Sequence, residues 1–399
     1  MSNPPYKVLI CAMAFPPSPI GPAAYASRLA LGLSTKGVEV VVVAPRGEPE
    51  SCAVFDRGQP YRVDRFHPGR SLLGRYAAAG RCLQAAIRRF APDSLWTTNG
   101  MATRVAGLLP GLGKRVPPLV SCMRGTDIVS HRGRGRFKRL LGASQFRCYR
   151  HSVAIAAASD FLKQVALGLG VEGEKIFVNP PGIDLDQVDQ IARDPAGLRA
   201  RYPLLGDGPL VLTVGRLSKQ KRVDTCLRAV ARLAASHPEL CYAVVGDGPE
   251  RAALERLAAR LGLGDRVLFT GALAPMSVEL YEFYRRAQIC LMAAVGEGLS
   301  NFLIETGAFG IPGVGVADGG IPEVLRDGQT GLLATPEDEA DIAAQIARLL
   351  GDPAWARQLG GAARQRVEQD FSLEALTRRS YGVLEAVVAG RSVGQAVLL

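Results

Sequence analysis

"PLVLTVGRLSKQKRVDTCLRAVARLAASHPELCYAVVGDGP", running from Pro209 to Pro249, decides the fold. The apolar run "PLVLTVGRL" breaks at Gly215 into a polar loop. "RVDTCLRAVARLAASHP" then spaces its apolar residues as a helix does, and "CYAVVGDGP" is a second apolar run ending in glycines. Strand, helix and strand joined by short loops make a βαβ unit, which requires a parallel sheet with helices on its faces. The pattern continues downstream through the helix "ERAALERLAARLG", the strands "RVLFTG" and "AQICLMAA", a helix near Asn301–Phe309, the strand "GVGVA" and the helix "EDEADIAAQIARLLGD".

The first half uses the same grammar. The strands "KVLICAMAF", "VEVVVVAP", "SLWTT", "PLVSCM" and "SVAIAAAS" alternate with helices such as "AYASRLALGLSTKG" and "GRCLQAAIRRFAP". The join falls in "NPPGIDLDQVDQIARDPAGLRARYPLLGDGP", rich in Pro, Gly and Asp. The expected class is α/β, with two Rossmann-like domains facing each other across a cleft. The expected boundaries are 1–182 and 183–375, with a closing helix at 376–399 packing back on the N-terminal domain. In such sheets ligands bind beyond the carboxyl ends of the strands.

A length of 399 residues fits two domains, and 48% hydrophobic with 21% charged residues is an ordinary globular mix. No apolar run approaches the roughly 20 residues of a membrane span. Lys7 precedes "VLICAMAF", but Ala12 and Ala14 lie inside that run, as in a buried strand and not at a leader cleavage site. The eight cysteines form no CxxC pair and have no histidine cluster beside them, so they read as reduced core thiols of a cytoplasmic protein. Charge is uneven. Residues 1–170 hold 24 Lys and Arg against 8 Asp and Glu, whereas residues 171–399 hold 24 against 29. The first half therefore expects an anionic partner: a lipid head group, a phosphorylated substrate or nucleic acid.

Two segments of the second half carry chemistry. In "GEGLSNFLIETGAFGIP", Glu297 and Glu305 flank the start of a helix. If all eight steps between them were helical, the rise would be roughly 12 Å, whereas a glycosidase clamps one bond with carboxyls about 5–9.5 Å apart. The spacing suits the two ends of a longer ligand, such as a nucleoside diphosphate sugar. The helix N-terminus between the glutamates would face the pyrophosphate, with Gly298 permitting close backbone approach and Ser300 capping. Glu297 would then accept from sugar hydroxyls and Glu305 from the ribose diol; the alternative is a surface loop with a solvated helical glutamate. In "VGRLSKQKRVD", Gly215 ends a strand and is followed by Arg216 and Lys221, two cations able to hold a pyrophosphate and stabilise its developing charge. An ordinary basic loop is the alternative there.

Together these segments resemble glycosyltransferase family 4, retaining enzymes of the GT-B fold. Its E-x7-E motif is Glu297 to Glu305, and its G-R-L-x-x-x-K motif is Gly215 to Lys221. "VVGDGPE", "RVLFTG", "GGIPEVLRDGQTGLL" and the N-terminal "FPPSPIGPAAYASRLALGLSTKGVEVVVV" also look like the family's loops. The resemblance implies that Arg216 and Lys221 hold the donor diphosphate, that Glu297 contacts the donor sugar and that Glu305 contacts the ribose. Gly21 would approach phosphates by its backbone, and the loop at Phe269 would meet the base. Gly246, Gly298, Leu299 and Ser300 would complete the donor site. It also implies a nucleotide sugar as substrate, UDP favoured over GDP, and no metal or other cofactor. The chain departs from the family at Pro22, which removes one N–H after Gly21. It departs again at Arg124, where many members carry a histidine that touches the donor sugar. Arg124 stays charged and cannot shuttle a proton, yet it can bind phosphate.

"HRGRGRFKRLLGASQFRCYRH", His131 to His151, holds Arg132, Arg134, Arg136, Lys138, Arg139, Arg147 and Arg150. A solvated helix face is one reading. The other is an anionic acceptor, lipid-linked or free, or peripheral contact with the inner face of an anionic membrane. The expected function is a retaining, metal-independent hexosyl- or N-acetylhexosaminyl-type transferase in cell-envelope, polysaccharide, glycolipid or small-molecule glycoside biosynthesis. A sugar-nucleotide epimerase and a catalytically weak nucleotide-sugar-binding protein remain as alternatives. Nucleic acid is disfavoured, because few aromatics accompany the basic helix and no nucleic-acid motif is present.

Overall fold

The computed structural model describes residues 6–18, 20–110, 116–125 and 136–393, with side chains from 140 onward in the helix Arg136–His151. It divides into two compact units. One comprises Met1–Gly182 together with Leu373–Leu399, and the other Ile183–Ser372.

The first unit is a seven-stranded parallel sheet: β1 (Lys7–Cys11), β2 (Glu39–Pro45), β3 (Arg62–Phe66), β4 (Ser94–Thr97), β5 (Leu119–Met123), β6 (Ala154–Ala157) and β7 (Ile176–Val178), in the order β3-β2-β1-β4-β5-β6-β7. Both faces of β1 are covered, which is why its sequence is continuously apolar instead of alternating. Val8 and Ile10 point to one side and pack with Tyr25, Leu29 and Leu33 of the helix Gly21–Thr35 and with Leu376, Val383 and Leu384 of the helix Leu373–Val388. Leu9 and Cys11 point to the other, against Ala79 and Leu83 of the helix Leu72–Phe90, Val105 of Gly100–Gly107, and Leu141 and Cys148 of Arg136–His151. The C-terminal helix therefore completes the first unit's core.

The second unit repeats the topology with six parallel strands: β8 (Leu210–Val214), β9 (Cys241–Val245), β10 (Val267–Gly271), β11 (Ile289–Met292), β12 (Gly313–Val316) and β13 (Gly331–Ala334), in the order β10-β9-β8-β11-β12-β13. Three strands, β3, β7 and β13, are additional to those read from the sequence, and all three lie at sheet edges. Edge strands are short and tolerate charge: "RVDRF" holds three charged residues in five, and "IFV" and "GLLA" are three and four residues long. The Pro- and Asp-rich join forms two short helices, Leu185–Gln190 and Pro195–Arg201, whose first turns are capped by Asp184 and Asp194.

All eight cysteines are free thiols, and seven are buried, with Cys82 half-buried. Among the described residues no helix is long and apolar enough to cross a membrane.

Candidate active site

The strand order of the second unit reverses between β8 and β11. At such a switch point the loops leaving the two carboxyl ends diverge and open a crevice. The loop after β8 carries Gly215, Arg216 and Lys221, and the loop after β11 carries Glu297, Gly298, Leu299 and Ser300. Hydrogen bonds tie the two loops together. Val295 N–H donates to the Gln220 carbonyl at 3.0 Å, and Gln220 Nε2 donates to the Gly296 carbonyl at 3.2 Å. Lys221 Nζ lies 2.8 Å from Glu297 Oε2, and these side chains are 21% and 17% exposed.

A third loop braces the glutamate. Gly320 N–H donates to the Glu297 carbonyl at 2.8 Å, and Gly296 N–H donates to Asp318 Oδ1. Gly319, at φ +59°, has no room for a side chain, because a Cβ would lie 2.5 Å from the Glu297 carbonyl oxygen. Gly246, at φ +144°, is equally constrained: its Cβ would fall 1.9 Å from the Gly215 carbonyl oxygen. The glycine after β9 thus lets its loop pass directly over the one after β8.

Ser300 caps the helix Asn301–Ala308, its Oγ accepting from Leu303 N–H at 3.3 Å. Gly298, Leu299 and Ser300 are buried, so the N-terminus of this helix is set into the unit. Glu305 follows in the helix, and its Oε2 accepts from the Tyr284 hydroxyl at 2.6 Å. Arg216 is exposed, and its guanidinium has no hydrogen-bond or ion-pair partner among the described residues. Phe269 is half-buried on the edge strand β10, two strands from β8.

Gly21 and Arg124 belong to the first unit. Gly21 is exposed and opens the helix Gly21–Thr35 ahead of Pro22. Arg124 follows β5, stacks 3.2 Å from the Tyr25 ring centroid and donates Nη1 to the Asn179 carbonyl at 2.8 Å. Its Nη2 is buried without a hydrogen-bond partner among the described residues. The Tyr25 hydroxyl meets Cys122 Sγ at 3.4 Å, and burial holds the Tyr25 phenol far above its ordinary range. Asn179 also donates to Ser380 Oγ at 3.0 Å, which brings the C-terminal helix to the same cluster. Arg132 and Arg134 lie outside the described residues, as do the side chains of Arg136, Lys138 and Arg139.

No motif in the sequence singles out Tyr284, Gln220 or Asp318. Tyr284 looks like any core aromatic in "VELYEFYRR", and its value as a donor appears only once Glu305 is beside it. Among the described residues no three His, Cys, Asp or Glu side chains are grouped to hold a metal ion.

Each unit is a doubly wound parallel sheet, and in the second a cation and a carboxylate meet at the switch point, where proteins of this class bind ligands beyond the strand ends. Comparison with known proteins narrows the class. The model of glycosyl transferases group 1 matches residues 197–366, and that of glycosyltransferase family 4 matches residues 20–187. The chain belongs to glycosyltransferase family 4, and its fold is GT-B.

One relative is a GDP-mannose-dependent alpha-(1-6)-phosphatidylinositol monomannoside mannosyltransferase of Mycolicibacterium smegmatis, 35% identical over 195 residues, 46% of this chain and 50% of that one. Another is a D-inositol 3-phosphate glycosyltransferase of Frankia alni, 37% identical over 221 residues, 52% of this chain and 53% of that one. The chain spans about half the length of these curated relatives. Sucrose-phosphate synthase from Thermosynechococcus elongatus shares the fold, with a TM-score of 0.79 and 22% identity over 96% of this chain and 100% of that one.

Proposed function

We propose that the protein transfers a sugar from a nucleoside diphosphate sugar to an acceptor hydroxyl with retention of anomeric configuration and without a metal ion. The observation that carries this reading is the Lys221–Glu297 pair, held between two switch-point loops in a member of this family. Arg216 and Lys221 neutralise the donor diphosphate as the anomeric C–O bond breaks. Glu297 accepts from sugar hydroxyls and Glu305 from the ribose diol. The acceptor oxygen forms the new bond on the same face, and its proton passes to an oxygen of the departing diphosphate. The donor base is uridine or guanosine. Uridine is the reading favoured on sequence, and GDP-mannose stands in the name of the M. smegmatis relative.

Incubation with UDP-, GDP- and ADP-sugars in EDTA, followed by mass spectrometry, tests the donor half. Release of nucleotide from one donor, lost in Glu297→Ala and Lys221→Ala, is the expected result. An epimerase would instead convert the donor sugar without releasing nucleotide. A catalytically weak binding protein would be stabilised by a donor but would turn over none, with or without acceptor.

We propose further that the acceptor is anionic and is met at an anionic membrane face. The three helices Leu72–Phe90, Gly100–Gly107 and Arg136–His151 cover one face of the first sheet. They contain ten Lys and Arg and no Asp or Glu. Leu72, Leu73 and Leu140 are 49%, 64% and 53% exposed on them. Each cation adds about 1 kcal/mol near an anionic lipid surface. Both relatives are named for a phosphorylated inositol, free or lipid-linked. Sedimentation with phosphatidylglycerol-containing but not phosphatidylcholine vesicles is expected; equal pelleting with both contradicts the membrane reading.

A further inference from the structure

Tyr284 sits on the helix Val278–Arg286, is fully buried, and lies inside a ring cluster. The rings of Phe309, Tyr281 and Phe302 are 5.2, 5.9 and 6.4 Å from its own. Nothing in apolar packing requires a hydroxyl there, and a buried hydroxyl without a partner is costly. This one donates to Glu305 Oε2 at 2.6 Å, the short distance of a hydrogen bond to a charged acceptor. Burial, and then the neighbouring carboxylate, push the Tyr284 phenol well above 10, so it remains a proton donor throughout the physiological range. The bond joins the helix before β11 to the helix after it.

A glutamate side chain has three rotatable bonds, and freezing them on ligand binding opposes affinity. A donor rooted in a rigid aromatic cluster fixes one carboxylate oxygen before the ligand arrives. From this geometry we infer that Tyr284 is a positioning residue: its hydroxyl presets Glu305 to receive the 2′- and 3′-hydroxyls of the donor ribose. The site thereby selects ribonucleotides over 2′-deoxyribonucleotides. This inference rests on the assignment of Glu305 to the ribose, so the experiment separates the two.

Calorimetry with UDP, GDP and their 2′-deoxy counterparts, on the wild type, Glu305→Gln, Tyr284→Phe and Phe309→Leu, makes the test. The wild type is expected to favour the ribonucleotide by tenfold or more, and Glu305→Gln to lose that preference. Tyr284→Phe is expected to weaken the ribonucleotide about tenfold, the lower end of what a hydrogen bond to a charged group supplies. It weakens the 2′-deoxynucleotide less, because only the 3′-hydroxyl still reaches Glu305. Phe309→Leu disturbs the same ring cluster without touching the hydroxyl, and it should retain the preference.

If Tyr284→Phe weakens both nucleotides equally, or neither, while Glu305→Gln abolishes the preference, Tyr284 is structural and the inference fails alone. If Glu305→Gln keeps the preference, the ribose assignment fails and takes the inference with it. Should Tyr284→Phe not fold, 3-fluorotyrosine at position 284 keeps the shape and acidifies the donor. A ribonucleotide affinity that changes more than the deoxynucleotide affinity then supports the inference, and two affinities that are unchanged or change equally overturn it.

Discussion

Replacing Glu297 by glutamine should make the protein bind free nucleoside diphosphate more tightly while transferring sugar less. Lys221 Nζ and Glu297 Oε2 are 2.8 Å apart and both side chains are largely shielded from water. At an effective dielectric of about 20 the attraction is roughly 6 kcal/mol before desolvation is counted. Desolvation and side-chain ordering consume most of that, and a hydrogen bond between charged groups leaves about 1.5–3 kcal/mol. A free diphosphate must compete with Glu297 for Lys221 and has no sugar with which to engage the glutamate in return. Removing the negative charge frees the cation, so UDP or GDP should bind about tenfold more tightly to Glu297→Gln, the lower end of that range. Lys221→Met should bind it at least tenfold more weakly. Donor turnover should fall by about a hundredfold or more in both variants. Calorimetry at two salt concentrations reads the affinities, and the gain should shrink as salt rises. The reasoning is refuted if Glu297→Gln weakens free nucleoside diphosphate as Lys221→Met does.

Gly246→Ala would drive a methyl to 1.9 Å from the Gly215 carbonyl oxygen at a φ of +144°, so it should cost about 2 kcal/mol or more of stability and displace the loop that carries Lys221. Thermal melts and nucleotide affinity should fall together in that variant. Alkaline pH should destabilise the fold. Burial raises the Cys148, Cys226 and Cys290 thiols from an ordinary 9.0 to about 12. The folded core keeps protons that the unfolded chain releases. Stability is therefore complete below pH 9 and declines between about pH 9 and 12, each thiol contributing up to about 1.4 kcal/mol per pH unit. Urea melts at pH 8 and 10.5 check the sign; a midpoint that rises with pH contradicts it.

The alternation of apolar runs with helical patterns was legible because each central strand is buried on both faces. "VLIC" and "VVVV" need no partner to be recognised. Three of the four edge strands, β3, β7 and β13, are not legible, because half of their surface answers to solvent and their side chains look like loop residues; the fourth, β10, is apolar enough to read as a strand. The pairing of Lys221 with Glu297 was implicit in two motifs that lie 76 positions apart. Sequence placed both at a ligand, and only the strand order reveals that their loops are neighbours. Arg124 is the opposite case. Its residue type suggests a phosphate contact, and its contacts with Tyr25 and Asn179, set by packing among three distant segments, could not be read from any motif. Tyr284 escaped notice because a tyrosine that packs as an aromatic and a tyrosine that donates to a carboxylate have the same sequence pattern.

Hydrogen exchange with and without saturating nucleotide sugar tests the central claim most directly, because it locates the ligand. Peptides spanning Thr213–Arg222 and Ala293–Glu305, where the two switch-point loops and the capped helix lie, should be protected. A nucleotide sugar that raises the melting temperature yet leaves both peptides unprotected would contradict it.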